Sequence, residues 1–269
     1  MNVATRIINV VMNRVDSRSR LDATRTLFAK LGMFFPVSKQ RWVLAQKFES
    51  LHYKDVINNV PVKKTETLLR HYSGPGAHYF KKTIEQTLDL DLSSYLDDKI
   101  LIDIACGASS VFLDIQTPVS KIGIDPMNFS EWVIARYEEI GAKIIPMCGE
   151  DFKISIQFDS IGSIKQVQEV KVVIFTNALQ HFRSLDQFFL NLQNQLGAHE
   201  LLFLEFLNVP ADRAHPQILT IKRLNSYIEK FNYKILNSKI LKERLIGFIE
   251  RGNGLEIEMY LMHASKLSQ

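Results

Sequence analysis

Residues 99–109 read Lys-Ile-Leu-Ile-Asp-Ile-Ala-Cys-Gly-Ala-Ser, and this stretch constrains the architecture of the chain more than any other. Its apolar run reaches one acid, Asp103, and passes at once into small residues. Such a run, bounded by a turn signal, predicts a fully buried strand. Small residues let the backbone approach a ligand closely, and a carboxylate accepts hydrogen bonds from amines and hydroxyls. The stretch therefore predicts a ligand pocket at the carboxyl end of a parallel strand, and the alternative is an ordinary strand-to-helix turn.

A second acid follows the next apolar run. Residues 121–126 read Lys-Ile-Gly-Ile-Asp-Pro, which places Asp125 at a distance of 22 residues from Asp103. In dinucleotide-binding folds an acid about 20 residues beyond the first turn holds the hydroxyls of a ribose. Asp125 is therefore predicted to bind the ribose of a nucleoside.

Strands and helices alternate through the middle of the chain. Helices are predicted at 132–140, at 185–196 and from Pro216 to Phe231, and strands at 99–104, 121–125, 143–147, 171–176 and 200–206. Ser130 is predicted to cap the first of these helices, and Ser184 with Gln187 to form a capping box for the second. This alternation predicts right-handed crossovers and a parallel sheet.

The end of the chain departs from that alternation. Segments 233–241 and 255–263 are rich in β-formers, and no helical pattern lies between them. Two adjacent strands without a crossover form an antiparallel hairpin. This ending weighs against a nicotinamide dehydrogenase, and so does the absence of a Gly-x-Gly-x-x-Gly turn from the sequence after the first strand.

With these residues in view, the chain resembles the class I S-adenosylmethionine (SAM)-dependent methyltransferases. Residues 103–109 match the first motif of that family, with Ala105 and Ser109 in place of its outer glycines, and Asp125 matches its ribose-binding acid. Segments 142–152 and 172–182 resemble the tips of its third and fourth strands. The resemblance covers roughly residues 96–269. It implies an α/β fold with a doubly wound, seven-stranded, mostly parallel sheet that ends in an antiparallel hairpin, and S-adenosyl-L-methionine as cofactor.

The resemblance also implies which residues contact the cofactor. These are Asp103, Ala105, Cys106, Gly107, Asp125, Pro126, Glu150, Asp151, Phe152 and Asn177, with Tyr72 in a lid segment before the first strand. Of the two adjacent acids, one is expected to bind the adenine amine and the other to be a capping or surface acid. Cys106 lies too deep in the turn to be a nucleophile.

His181 is the predicted general base, because it follows the fourth strand and imidazole titrates near neutrality. The alternative is a histidine that hydrogen-bonds only the backbone. Glu205 and His215 are candidates for substrate contact, or else an exposed edge carboxylate and a loop residue without a chemical role. No metal is predicted, since two cysteines are too few for a structural zinc site.

The charge of the chain is unevenly distributed. Of the net +4, residues 1–95 contribute 15 Lys and Arg against 8 Asp and Glu, and residues 96–269 contribute 18 against 21. A basic segment attracts an anionic partner such as nucleic acid, or is simply a solvated surface. Helices predicted at 41–51, 65–72 and 78–88 make residues 1–95 a helical cap or substrate region and residues 96–269 the SAM-binding Rossmann-like domain. The first 31 residues are Arg-rich and are either a targeting segment or a helix.

The predicted function is methyl transfer to an O, N or C nucleophile of a small-molecule or carrier-bound acceptor. Two alternatives stay open: a nucleic-acid methyltransferase that uses the basic region, and a non-catalytic methyltransferase-like binding module. The two cysteines favour a cytoplasmic location, and no apolar run reaches the ~18 residues of a membrane span. A homodimer is compatible with the sequence.

Overall fold

The computed structural model describes residues 18–53, 77–97, 99–108, 110–115, 120–151, 170–212, 214–245 and 255–267. Its centre is a seven-stranded sheet in the order β3-β2-β1-β4-β5-β7-β6. The strands are β1 (Ile100–Ile104), β2 (Ser120–Ile124), β3 (Ala142–Ile145), β4 (Lys171–Thr176), β5 (Glu200–Leu207), β6 (Tyr233–Leu245) and β7 (Leu255–Lys266). The first five strands pair in parallel, and β7 lies antiparallel to both β5 and β6. The predicted fold class is confirmed.

Helices cover both faces of this sheet. They are α1 (Arg18–Lys30), α2 (Lys39–Tyr53), α3 (Ala77–Leu88), α4 (Leu92–Tyr95), α5 (Glu131–Glu139), α6 (Leu185–Asn191) and α7 (Ile221–Lys230). Alternate residues of β4 supply the two halves of the core, because successive side chains of a strand point to opposite faces. Val173 and Phe175 pack in the cluster that includes residues of α6 and α7, whereas Val172 and Ile174 pack in the cluster that includes residues of α3, α4 and α5.

One predicted helix start and one predicted capping bond differ from the structure. The last helix begins at Ile221 rather than at Pro216, because the Thr220 hydroxyl caps it by accepting a hydrogen bond from the Arg223 N–H at 3.2 Å. Residues 216–220 instead belong to no helix or strand and are largely buried. Ser130 occupies the N-cap position of α5, but its hydroxyl makes no capping bond.

The predicted capping box of α6 is only half formed. Ser184 accepts a hydrogen bond from the Gln187 N–H at 3.2 Å, as expected. The Gln187 side chain donates to Asn191 instead of returning to Ser184, and the Ser184 N–H donates to Glu150. A carboxylate from another part of the chain thus takes the place of the local glutamine.

Some sequence predictions lie outside the described residues. They include the helix at 65–72, Tyr72, Phe152 and the first 17 residues. Among the described helices, none combines the length and the apolar character that crossing a lipid bilayer requires.

Candidate functional site

The tips of β1 and β2 bring two acids to the same edge of the sheet. The strands pair in parallel with Asp103 opposite Gly123, and both Asp103 and Asp125 are buried. The Asp125 carboxylate accepts hydrogen bonds from the Gly107 N–H at 2.9 Å and the Met127 N–H at 2.8 Å, one at each oxygen. One oxygen of Asp103 accepts a hydrogen bond from the Ser110 hydroxyl, whereas Oδ1 is buried with no partner among the described residues. The edge therefore holds an unused acceptor.

Burial controls the charge of these two acids. It raises the pKa of Asp103 to about 7. The hydrogen bond from Ser110 lowers this pKa, and the negative charge of Asp125 raises it further. Burial also raises the pKa of Asp125 to about 6, opposed by the two N–H donors and reinforced by Glu49. A cation or a strong hydrogen-bond donor at this edge would favour the ionised acids.

The loop after β1 is held in a left-handed conformation. Ala105 has φ +56° and Gly107 has φ +57°. The Ala105 N–H donates to the Ile124 carbonyl at 2.7 Å. The buried Tyr137 hydroxyl of α5 donates to the Gly107 carbonyl at 2.8 Å and accepts from the Ser110 N–H at 2.9 Å. Sequence reasoning missed Tyr137, because no local signal ties a helical tyrosine to a loop 30 residues earlier.

Close packing surrounds Cys106. A Cβ atom at Gly123 would lie 2.8 Å from the Cys106 Sγ and 2.4 Å from the Ile144 Cδ1, so a larger residue at this position of β2 would displace both side chains. Burial raises the pKa of the Cys106 thiol well above its ordinary value, and the charges of Asp125 and Asp103 add to this. A buried neutral thiol is not a nucleophile.

The two acids after β3 have different environments. Glu150 is buried, and its carboxylate accepts a hydrogen bond from the Ser184 N–H at 2.5 Å. Burial raises the pKa of Glu150 to about 7, opposed by Ser184 and Arg183. Asp151 is exposed. Glu150 thus fixes the start of α6, and Asp151 is the acid whose side chain is open to a ligand.

The turn after β4 is fixed by a buried acid of β5. Glu205 is fully buried, so it is not an exposed edge carboxylate. Its Oε1 accepts from the N–H groups of Ala178 and Leu179 at 2.9 and 3.2 Å, and its Oε2 has no partner within the described part of the chain. Burial raises the pKa of Glu205 to about 8. Asn177, with φ +49°, accepts a hydrogen bond from the Gln180 side chain at 2.5 Å.

His181 lies at the end of that turn, against His215. The two ring centroids are 4.6 Å apart, and the buried Nδ1 of His181 has no partner in the ranges that the structure describes. Burial, followed by the neighbouring His215, lowers the pKa of the His181 imidazole to about 3. A neutral ring can accept a proton or bind a metal, but one with this pKa is a weak base near neutral pH. The role of general base stays a prediction.

Helix α2 lies across this edge of the sheet. Near its start, the Trp42 indole N–H donates to the His181 carbonyl at 3.1 Å, and the Gln46 amide also reaches that carbonyl. Near its end, the Ser50 hydroxyl lies 3.5 Å from the Met127 sulfur, beside the tip of β2. The helix therefore spans from the tip of β4 to the tip of β2. The sequence predicted the helix but gave no signal for its position.

The sequence matches no family model and none of the curated proteins. The fold is similar to that of the magnesium protoporphyrin IX methyltransferase of Synechocystis PCC 6803, solved with bound SAH, at 11% identity and a TM-score of 0.51, over 84% of this chain and 99% of that chain. A SAM-dependent methyltransferase from Anabaena variabilis ATCC 29413 is also similar, at 15% identity and a TM-score of 0.47, over 78% of this chain and 96% of that chain. The first likeness shows that the chain has the SAM-dependent methyltransferase fold.

Proposed function

We propose that this chain, which has the fold of the class I methyltransferases, binds S-adenosyl-L-methionine and transfers its methyl group to a small-molecule or carrier-bound nucleophile. The observation that carries the proposal is the unpartnered, buried Oδ1 of Asp103 beside Asp125, at the carboxyl edge of β1 and β2. In open α/β sheets this edge is where ligands bind.

The acids at this edge suit the cofactor in charge and in hydrogen bonding. SAM carries a sulfonium and an ammonium group, and it supplies a methyl group that is already activated for transfer. Asp103 Oδ1 would accept from an amine or a hydroxyl of the ligand. Each oxygen of Asp125 already accepts one N–H, which leaves further lone-pair capacity for ribose hydroxyls. The raised pKa values of both acids are the expected result of burying carboxyl groups without a cation.

The remaining contacts follow the strand tips. Asp151, the exposed acid after β3, is the better candidate for the adenine amine, because the carboxylate of Glu150 holds Ser184. The backbone of Ala105, Cys106 and Gly107 would pass close to the methionine part. Pro126, Phe152, Asn177 and Tyr72 complete the proposed contacts.

The main contribution of the protein to methyl transfer is alignment. Holding two reactants in line contributes about 7–11 kcal/mol to lowering a barrier, more than one general base supplies. Helix α2 covers the edge between the tips of β2 and β4, so an acceptor must enter a partly covered cleft. Such a cleft suits a small or tethered acceptor better than a base within a nucleic-acid duplex. Cys106 and Cys148 are both free thiols, which fits a reducing compartment such as the cytoplasm.

Calorimetric titration with SAM tests the proposal. We expect a Kd in the micromolar range, and about 10-fold or greater weakening in Asp125→Asn and Asp103→Asn, because a hydrogen bond to a charged group contributes about 1.5–3 kcal/mol. Asp97→Asn, a change at an exposed position outside the site, is the matched control and should bind as the wild type does. A folded protein that shows no binding at about 1 mM SAM would contradict the proposal and favour a non-catalytic module.

The acceptor class can be tested in the same preparation. With SAM labelled in its methyl group, label is expected in the small-molecule or carrier fraction of a cell extract. Label in the nucleic-acid fraction would contradict the small-molecule part of the proposal.

A further inference from the structure

Three side chains with metal-binding atoms meet beneath α2. Glu49 comes from α2, His181 from the turn after β4 and His215 from the loop after β5. Each offers one ligand atom, and these atoms all lie within 4.8 Å of one another. Two imidazoles and one carboxylate are the ligand set of catalytic zinc sites and of non-haem iron sites. The combination therefore favours a transition metal over Mg²⁺ or Ca²⁺, which prefer oxygen ligands.

His215 is oriented by a carboxylate in the way that metal-bound histidines are. Its Nδ1 lies 2.9 Å from both carboxylate oxygens of Asp212. Asp212 also accepts hydrogen bonds from the N–H groups of Ala214 and His215 at 2.9 and 2.8 Å, which fixes the carboxylate in a tight turn. With Nδ1 donating to Asp212, the Nε2 of His215 carries the lone pair that a metal requires.

His181 supplies the second nitrogen in a fixed position. Its Nδ1 is buried without a partner among the described residues, and its ring lies 4.6 Å from that of His215 at an interplanar angle of 62°. Buried polar atoms are rarely left unpaired, so an unpaired nitrogen needs an explanation. Trp42 and Gln46 of α2 both donate to the main-chain carbonyl of His181, which couples the helix that carries Glu49 to this turn.

We propose that Glu49, His181 and His215 bind a divalent transition-metal ion, for which Zn²⁺ is the reference probe, and that Asp212 positions His215. Three protein ligands leave at least one coordination position open, as in catalytic zinc sites. The site adjoins the proposed cofactor edge, because Ser50, the residue after Glu49, contacts Met127 at the tip of β2.

If the protein is a methyltransferase, as proposed above, the open coordination position would bind an oxygen of the methyl acceptor. A metal lowers the pKa of a bound hydroxyl, so its proton passes to solvent. The oxygen would then form the new bond to the methyl carbon while the carbon–sulfur bond breaks, and the electron pair of that bond would stay on sulfur. The acceptor class is therefore an alcohol, a phenol or an enol.

Metal titration of the full chain, with any affinity tag removed, tests the site. We expect one equivalent of Zn²⁺ with a Kd at or below about 1 μM, and no competition from Mg²⁺. His181→Ala, His215→Ala and Glu49→Gln should each weaken binding by about 100-fold or more, since each removes one ligand. Asp212→Asn should weaken it by about 10–100-fold. His199→Ala, at an exposed histidine outside the cluster, is the matched control and should bind Zn²⁺ normally.

A second measurement avoids the variants altogether. The wild-type protein loaded with one equivalent of Cu²⁺ should give an electron paramagnetic resonance spectrum with splitting from two imidazole nitrogens. A Zn²⁺ Kd weaker than about 1 mM, undiminished binding in folded His181→Ala and His215→Ala proteins, or a copper spectrum without nitrogen splitting would overturn the metal site. SAM affinity is measured separately on chelator-treated protein. If the protein binds Zn²⁺ as expected but does not bind SAM, the metal site stands and only the proposed binding of a methyl acceptor to the metal is overturned.

Discussion

Among the described residues with positive φ, Ala105 is the one that is neither Gly, Asn nor Asp. An L-residue in the left-handed region costs roughly 1–2 kcal/mol relative to the right-handed one, and glycine largely avoids this cost. Ala105 has φ +56° at the position where the resembling family has glycine. We therefore expect Ala105→Gly to raise the free energy of unfolding by about 0.5–1 kcal/mol in a urea titration. The matched change Ala108→Gly, at a buried residue without positive φ, should lower it. Equal destabilisation by both would contradict the argument.

Tyr137 offers a test of how the loop after β1 is held. Its hydroxyl bonds both Gly107 and Ser110, so Tyr137→Phe leaves two buried backbone groups without their partner. We expect a loss of about 1–3 kcal/mol in stability and weaker SAM binding. Tyr233→Phe is the control, because that hydroxyl donates to the Ala198 carbonyl, away from the site. It should lower stability without changing SAM affinity, and a change in SAM affinity as large as that of Tyr137→Phe would refute the special role of Tyr137.

At the scale of elements, α2 is the helix that closes the site. The Trp42 indole makes the shorter of its two hydrogen bonds to the His181 carbonyl, at 3.1 Å against 3.5 Å for Gln46. Trp42→Phe keeps an aromatic ring but removes that donor, so the amides of α2 should exchange faster with deuterium while those of β4 do not. Trp132→Phe in α5 is the control and should leave exchange in α2 unchanged. Unaltered exchange of α2 in Trp42→Phe would show that the helix is held by other contacts.

The sequence predicted the elements better than the contacts between them. Strands β1 to β5 were found within two residues at each end, because short apolar runs end at clear turn signals. The hairpin of β6 and β7 was also confirmed. The start of α7 was wrong, since Pro216 suggested a helix start that Thr220 provides instead. The capping box of α6 was half right, because Glu150 is distant in sequence and close in space. Long-range contacts of this kind leave no local pattern.

The same limit applies to the site residues. Asp103 and Asp125 stood out because each follows a buried strand, and the parallel pairing of those strands places them at one edge. The cluster of Glu49, His181 and His215 could not be predicted, because its members are 132 and 34 residues apart in the sequence. Nothing in the sequence indicated that α2 crosses the strand tips.

At the scale of the whole molecule, the buried acids make folding depend on pH. The pKa of Glu205 is raised from its ordinary value of 4.5 to about 8, and that of Asp103 from 3.8 to about 7. At these acids the folded state binds protons more tightly than the unfolded chain, so their contribution to stability is greatest at low pH within this window. His181, whose pKa is lowered to about 3, opposes them only below its ordinary value of 6.5. The contribution of the acids falls as the pH rises from about 4 towards 8, where the folded acids ionise.

Thermal unfolding of the ligand-free protein checks that sign. We expect a lower Tm at about pH 8 than at about pH 5.5. Each kcal/mol lost from the free energy of unfolding lowers the Tm by about 2–4 °C. Glu205→Gln removes one of the acids and should flatten the dependence of Tm on pH. The Tm of the variant should therefore exceed that of the wild type most at high pH. Glu229→Gln, at an exposed position, should leave the slope unchanged. A wild-type Tm that rises between these two pH values would contradict the argument.

The most direct test is a crystal structure of the protein grown with SAH. We predict the nucleoside at the carboxyl edge of β1 and β2, with its ribose hydroxyls on the carboxylate of Asp125 and a ligand donor on Oδ1 of Asp103. The proposed cofactor site would be contradicted by density for SAH elsewhere. It would also be contradicted by an edge filled with protein side chains in a crystal grown at saturating SAH.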